Sequence, residues 1–133
     1  MITSSNIIAF LASTEPRRAV DFYSGILGLT LLADEGFALI FDANGIMLRI
    51  SRVVSHIPAP FTVLGWDIPD IVTEVDRLAA GGIHFERFSG MEQDEKGICT
   101  FPDQTRVAWF KDPDGNILSL TQFPRSSENR LPE

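Results

Sequence analysis

The sequence has 133 residues, of which 44% are hydrophobic and 22% are charged, values typical of one soluble globular domain. The formal net charge of −7 repels phosphate backbones and anionic lipids, so we expect no nucleic-acid partner and no membrane partner. No apolar run approaches the ~20 residues that span a bilayer. The single cysteine, Cys99, excludes an internal disulfide framework and favours a cytoplasmic location.

The first half of the chain predicts a strand, a helix, a second strand and a hairpin. Residues 6–12 contain a continuous apolar run after Asn6, short enough for a buried strand. Ser13 or Thr14 is suited to cap the helix that follows, in which apolar residues recur at three- and four-residue spacing. A strand is then expected over 29–33, and a hairpin over 37–51.

The second half predicts the same order of elements. Residues 53–60 contain two prolines and are expected to form a linker. A strand over 61–67 is followed by a helix for which Asp67 is the expected cap. Another strand is predicted over 83–87. Residues 88–105 are polar and contain glycine, and a loop of that length is a candidate lid.

A second hairpin over 106–122 repeats the first one. Its turn sequence, Asp-Pro-Asp-Gly, is interpreted as having the same build as the earlier Asp-Ala-Asn-Gly. Aligning Gly45 with Gly115 places Arg49 opposite Ser119. Strand alternation predicts one core-facing set and one set on a wetter face. The core-facing set is Leu118 and Leu120, and the wetter set is Ile117, Ser119 and Thr121.

Both halves therefore read βαβββ, and an internal repeat of this kind decides the architecture. We predict an α+β fold in which two βαβββ modules form a curved, cup-like, eight-stranded mixed sheet with the helices outside. A single domain is expected over 1–123, with modules at 6–52 and 61–123. Residues 124–133 are expected to form a flexible C-terminal tail.

Two stretches of the sequence resemble motifs of the vicinal oxygen chelate superfamily, which includes glyoxalase I, extradiol dioxygenases, and fosfomycin and bleomycin resistance proteins. Residues 19–29 match its helix with a Phe-Tyr pair followed by Leu-Gly, and residues 110–122 match its Asp-Pro-Asp-Gly-Asn hairpin. The resemblance covers about residues 6–123. It implies the fold and a homodimer, but one scaffold of this kind hosts many reactions.

Metal enzymes of this family hold their ion with side chains from four strands, usually histidine and glutamate. The resemblance places those four positions at Ile8, Arg49, Thr62 and Ser119. Isoleucine cannot bind a metal, arginine repels one, and hydroxyls are weak neutral ligands. We therefore predict no metal site and no cofactor.

Without a metal site, the expected function is the binding of a small molecule in a largely apolar and aromatic pocket. Arg49 is its expected charged anchor, because a guanidinium binds carboxylates bidentately. The alternatives for Arg49 are a structural salt bridge and a solvent-facing strand. The tryptophans have core filling as their simpler role. The predicted ligand-binding residues are Arg49, Trp66, Phe10, Met47, Thr62, Leu64, Ser119, Thr121 and Trp109.

Other chemically capable residues have simpler explanations. His84 and His56 do not follow the spacing of a paired ligand motif and are interpreted as surface histidines. Cys99 has no helix N-terminus beside it and is interpreted as an inert thiol. Asp112 and Asp114 are expected to bond nearby backbone N–H groups of their turn.

We therefore expect a glyoxalase/bleomycin resistance/dioxygenase-like protein that lacks the usual metal ligands and binds a small molecule. The expected ligand is apolar or aromatic, and an anionic ligand is one possibility. Three alternatives stay open. The first is a metal-dependent lyase or dioxygenase with a displaced site. The second is a metal-free isomerase that uses His84 or a carboxylate as base. The third is a structural or regulatory module with a closed core.

Overall fold

The computed structural model describes residues 1–124, so the tail predicted at 124–133 lies, apart from Pro124, outside the described residues. The chain divides into two compact units, each with one βαβββ module. The turn between the last two strands groups with the first unit. Among the described residues, the first unit contains Met1–Ala59 and Asp112–Asn116, and the second contains Pro60–Lys111 and 117–124.

The sheet of the first unit has four strands in the order β1-β4-β3-β2. Strand β4 lies at its centre, parallel to β1 and antiparallel to β3, and β2 is antiparallel to β3. A short 3₁₀ turn over Ile2–Ser4 precedes the sheet. The strands are β1 (Ile8–Ser13), β2 (Thr30–Asp34), β3 (Ala38–Ala43) and β4 (Ile46–Arg52).

The helical segment between β1 and β2 packs on one face of this sheet. Helix α1 (Pro16–Val20) continues into a π-helical turn (Asp21–Ile26). The wider turn of a π-helix shows in the hydrogen bond from Leu27 N–H to the Phe22 carbonyl, five residues back, at 2.9 Å. It directs Tyr23 into the core, where the ring is 1% exposed.

The predicted cap of α1 was wrong. Neither Ser13 nor Thr14 bonds the first turn of the helix, and Glu15 occupies the N-cap position without a side-chain cap bond. The Ser13 hydroxyl instead accepts a hydrogen bond from the Glu15 N–H at 3.0 Å, so it ends the strand rather than starting the helix. Pro16 lies at the first helical position, where its missing N–H leaves no bond unmade.

The two hairpin turns differ in build, which corrects the sequence-based interpretation. The first connection contains two residues, Asn44 and Gly45, both with positive φ (51° and 89°), as a type I′ turn requires. The second connection contains five residues, Asp112–Asn116, with Gly115 at φ 85°. The N–H of Gly115 bonds the Asp112 carbonyl at 3.0 Å. Positive φ at the glycine is the feature that the two turns share.

The second unit repeats the module with the strand order β5-β8-β7-β6. Strand β8 lies parallel to β5 and antiparallel to β7, and β6 is antiparallel to β7. Helix α2 buries Ile71, Val75 and Leu78. The elements are β5 (Thr62–Asp67), α2 (Ile71–Ala80), β6 (Cys99–Thr100), β7 (Arg106–Lys111) and β8 (Ile117–Gln122).

The strand predicted at 83–87 was wrong, because only Phe85 forms an isolated bridge there, to Phe110. The third strand of the module is the short β6, inside the segment predicted as a loop. The Gln93 side-chain amide explains the difference. It donates to the carbonyls of Glu86 and Gly97 at 2.9 and 2.7 Å, and its oxygen accepts from the Phe88 N–H at 2.9 Å. These backbone groups therefore bond a side chain in place of a strand.

The cap of α2 also differs from the prediction. Asp70, not Asp67, is the N-cap residue, and its carboxylate accepts hydrogen bonds from the Thr73 N–H at 3.2 Å and the Thr73 hydroxyl at 2.8 Å. Asp67 ends β5. The extended chain continues one residue further, since the Ile68 N–H bonds the Thr121 carbonyl at 2.8 Å.

The predicted fold class is confirmed. The described residues form an α+β protein with two βαβββ modules, whose eight strands lie in two four-stranded mixed sheets that are not closed into a barrel. Within residues 1–124, no helix is long and apolar enough to cross a membrane.

Candidate functional site

Arg49 lies at the middle of β4 and faces away from the helix. Its neighbours on β4, Leu48 and Ile50, are 0% and 2% exposed, so alternation turns Arg49 to the opposite face. Across the sheet Arg49 pairs with Phe10 on β1 and with Ile40 on β3. This orientation is the one predicted from the hairpin pattern.

Exposed apolar side chains surround Arg49 on that face. Phe10 is 63% exposed, Ile8 45% and Met47 38%, and Ile8 pairs with Met47 as Phe10 pairs with Arg49. We call these four residues the open face of the first sheet. Of the nine predicted ligand-binding residues, Phe10, Met47 and Arg49 are brought together here. Contiguous exposed apolar surface is uncommon on soluble proteins away from binding sites.

The turn between β2 and β3 supplies the partners of Arg49. The Nη2 atom lies 3.0 Å from Glu35 Oε1, and the guanidinium carbon lies 6.0 Å from the centre of the Phe37 ring. Gly36, between them, has φ 85°, and its N–H donates to Asp34 Oδ1 at 2.9 Å. The salt-bridge alternative for Arg49 is therefore present. Glu35 and Phe37 were not predicted as site residues, although the glycine after the acidic pair Asp34-Glu35 is typical of a turn.

Ser119 occupies the position of β8 that corresponds to Arg49 on β4. It pairs with Gly65 on β5 and with Trp109 on β7. Ser119 is 7% exposed, and a Cβ atom placed on Gly65 would lie 2.6 Å from its hydroxyl oxygen. The wetter face predicted for this part of β8 was wrong, because Ile117, at 9% exposed, is buried too. Glycine at position 65 makes room for the Ser119 side chain.

The remaining predicted site residues lie on different faces of the second sheet. Leu64 and Trp66 pair with Leu118 and Leu120, on the buried face, where the Trp66 ring stacks 6.5 Å from Phe110. Trp109, Ser119 and Thr121 alternate with that set and lie on the other face. Leu64 and Trp66 therefore do not share a face with Trp109, Ser119 and Thr121.

Thr62 and Trp109 complete the set. Thr62 is exposed and pairs with Ile117, two residues before Ser119, just as Ile8 pairs two residues before Arg49. Thr62 and Ile8 therefore have corresponding partners on β8 and β4, although the register of β5 shifts between Thr62 and Leu64. Trp109 is half-buried against Phe88, with the ring centres 5.4 Å apart at 85°.

A buried polar network holds the turn Asp112–Asn116 within the first unit. Asp112 Oδ2 accepts hydrogen bonds from the Tyr23 hydroxyl at 2.7 Å and from Asn116 Nδ2 at 2.8 Å. Its Oδ1 accepts from the N–H groups of Asp114 and Asn116, both at 2.9 Å, as the turn interpretation predicted. His56 Nε2 lies 2.7 Å from Asn116 Oδ1. His56 is half-buried.

Two groups of this network have shifted pKa values. Burial raises the pKa of Tyr23 well above its ordinary value, and the nearby charge of Asp112 raises it further. Burial also acts to raise the pKa of Asp114. Hydrogen bonds from Ser13 and Thr14 outweigh it, so the pKa of Asp114 lies below its ordinary value. Tyr23 therefore stays neutral while Asp114 stays ionised at neutral pH.

Two cavities lie elsewhere, one in each unit, and contain none of the nine predicted residues. The cavity of the second unit, about 410 Å³, lies beside α2 and is bordered by His84, which is exposed as predicted. The cavity of the first unit, about 370 Å³, is bordered by α1 and Arg52. Cys99 is buried on β6 and has a free thiol.

Residues 6–120 match the sequence profile of the Glyoxalase/Bleomycin resistance protein/Dioxygenase superfamily. The chain belongs to this superfamily. The match covers both modules and confirms the resemblance read from the helix and hairpin motifs. No curated protein matches the chain.

Solved structures of other proteins share the fold at low sequence identity. The fosfomycin resistance protein FosX from Listeria monocytogenes is 16% identical, with a TM-score of 0.71 over 96% of this chain and 98% of its own. A superfamily member from Sphaerobacter thermophilus DSM 20745 is 20% identical, with a TM-score of 0.69 over 92% and 99%. TioX from Micromonospora sp. ML1 is 21% identical, with a TM-score of 0.66 over 91% and 100%.

The sequence-based prediction places the four metal-ligand positions at Ile8, Arg49, Thr62 and Ser119, and this assignment stays a prediction. Those residues offer a hydrocarbon, a cation and two neutral hydroxyls. A divalent ion needs imidazole, carboxylate or thiolate donors. Among residues 1–124, no group of three or more histidine, cysteine, aspartate or glutamate side chains is placed to hold an ion.

Proposed function

We propose that this glyoxalase superfamily protein binds an apolar or aromatic small molecule on the open face of the first sheet, without a metal ion. The observation that carries the proposal is a largely covered guanidinium, Arg49, with 23% of its side chain exposed, among apolar side chains that are 38–63% exposed. Arg49 is the group that would contact an acidic substituent of the ligand.

An apolar surface and a guanidinium lie side by side on this face, and each can contact a different part of one ligand. Covering Phe10, Ile8 and Met47 removes apolar surface from water, which stabilises a complex by about 25 cal/mol per Å². The Arg49 side chain extends from β4, and its guanidinium N–H groups point in fixed directions. They can therefore orient a bound acid. A ligand with an aromatic body and one carboxylate uses both features.

For the second sheet, ligand contacts are proposed within its own unit. Thr62, Trp109 and Thr121 are exposed or half-buried and have polar or aromatic groups that a ligand can reach. Ser119 is buried against Gly65, and Leu64 and Trp66 belong to the buried face, so we propose smaller contributions from these three.

The comparisons support a small-molecule ligand as a class. FosX is described as a fosfomycin resistance protein. At 16% identity this likeness carries the fold alone. The absence of metal donors at Ile8, Arg49, Thr62 and Ser119 is what favours binding over metal-assisted turnover.

Thermal-shift measurements with a panel of aromatic carboxylic acids test the proposal. We expect saturating ligand to raise the midpoint of unfolding of the wild-type protein and to raise it less in Arg49→Ala. Arg52→Ala is the matched control, because Arg52 lies on the same strand, faces the other way and also pairs with a carboxylate, Asp34 at 3.4 Å. A shift that is unchanged in Arg49→Ala would remove this residue from the site. Stoichiometric metal that is required for binding would contradict the metal-free proposal.

A further inference from the structure

The ion pair on Arg49 determines what a ligand has to displace. Glu35 Oε1 lies 3.0 Å from Arg49 Nη2, and this is the one contact that the carboxylate makes with the guanidinium. A free carboxylate can bind a guanidinium through two parallel hydrogen bonds, which is the stronger arrangement. Glu35 therefore binds Arg49 as an acidic ligand would, but through one hydrogen bond where a ligand carboxylate can form two.

The segment that carries Glu35 is an exposed turn. Asp34, Glu35, Gly36 and Phe37 are all exposed, and Phe37 is 66% exposed although its ring lies 6.0 Å from the Arg49 guanidinium carbon. The Glu35 side chain is 42% exposed. Few buried contacts oppose its movement, and a turn of this kind opens at small energetic cost.

We propose that Glu35 is an internal competitor that occupies Arg49 in the free protein, and that the ligand carries a carboxylate that takes its place. This inference rests on the proposed binding function. It adds the chemical class of the anionic group and a mechanism that selects for it. A neutral ligand leaves the ion pair in place and gains nothing from Arg49, whereas a carboxylate exchanges one contact for two.

The expected strength of the competition is modest. Exposed ion pairs contribute little to stability, and removing the competitor should tighten binding of a carboxylate by about two- to five-fold. Glu35→Gln removes the charge and keeps the shape of the side chain. Because Glu35 is exposed, this variant is expected to fold as the wild type does.

Titration calorimetry at low ionic strength tests the proposal with 2-naphthoate and its neutral amide, 2-naphthamide, as matched probes. We expect Glu35→Gln to bind 2-naphthoate about two- to five-fold more tightly than the wild type and to bind 2-naphthamide equally well. Asp34→Asn is the control. It removes the same charge one residue away and keeps the acceptor that bonds the Gly36 N–H.

The outcomes separate this inference from the proposed function. If 2-naphthoate binds the wild type and its affinity does not change in Glu35→Gln, the internal competitor is overturned and the binding site stands. If Glu35→Gln binds both probes more tightly by the same factor, the effect is steric. If Asp34→Asn binds 2-naphthoate more tightly by as much as Glu35→Gln does, the effect is a general one of charge. Either result also overturns the inference. If neither probe binds either protein, the proposed function fails with it.

Discussion

Tyr23 shows at the scale of one residue why a motif position is occupied by a particular side chain. It is the single tyrosine of the sequence, and its hydroxyl donates to Asp112 inside the core. The aromatic ring packs 5.8 Å from Phe41 and 5.0 Å from Phe22. Phenylalanine would fill the same volume, so the hydroxyl is there for Asp112, a carboxylate that is 7% exposed and needs donors.

We expect Tyr23 not to ionise while the protein is folded, because its pKa is raised. An ordinary tyrosine titrates near pH 10, so the unfolded chain loses this proton first and stability falls as the pH rises above about 10. Tyr23→Phe should lose about 1–3 kcal/mol at neutral pH, since Asp112 loses a donor, and should lack this alkaline dependence. Urea unfolding at several pH values measures both effects.

The ionisation of Tyr23 can be measured directly by the near-ultraviolet absorbance of tyrosinate, because Tyr23 is the single tyrosine of the sequence. The signal should appear together with unfolding and not before it. Tyrosinate forming near pH 10 in the folded protein would contradict the buried hydrogen bond.

Pairs of elements explain which parts of the fold were predictable. The hairpins and the order βαβββ followed from alternation, helical spacing and glycine at positive φ, all of which act over a few residues. Strand β6 did not, because it has only two residues and lies in a polar segment without a strand pattern, in which the Gln93 side chain bonds Glu86 and Phe88. The face on which Arg49 lies could be predicted from strand alternation. Its contact with Glu35 could not, because it depends on the register between β2, β3 and β4. The network from Tyr23 to His56 joins distant segments and has no local pattern.

The contact between β5 and β8 yields a prediction at this scale. Gly65→Ala places a methyl group 2.6 Å from the Ser119 hydroxyl oxygen, so one of the two must move. We expect a loss of about 1–3 kcal/mol in the free energy of unfolding, the usual effect of overpacking. Ser119→Ala removes the obstructing oxygen, so the double variant should recover part of that loss.

Chemical denaturation of the four proteins of this cycle measures the coupling. Additive effects would contradict the contact. Gly25→Ala is a useful comparison, because a Cβ atom there meets nothing within 4 Å.

At the scale of the whole molecule, the prediction is a homodimer. The described chain exposes large apolar side chains beyond the open face, including Ile7 at 74%, which precedes the outer strand β1. Outer strands with exposed apolar residues invite pairing with another chain. Light scattering should give twice the chain mass of 14.7 kDa, or about 29 kDa. Because apolar contacts resist screening, high salt should not dissociate the dimer, and a monomer mass at every concentration would contradict the prediction.

The grouping of Asp112–Asn116 with Met1–Ala59 has a consequence for biosynthesis. The ribosome makes the N-terminal half first, yet the Tyr23 hydroxyl and the Thr14 N–H find their acceptors only in that later turn. At about 5–20 residues per second, several seconds of translation pass before the acceptors of these two donors are synthesised. A nascent chain stalled before Asp112 should therefore remain sensitive to protease in its first half, and one that has released Asn116 from the exit tunnel should become resistant.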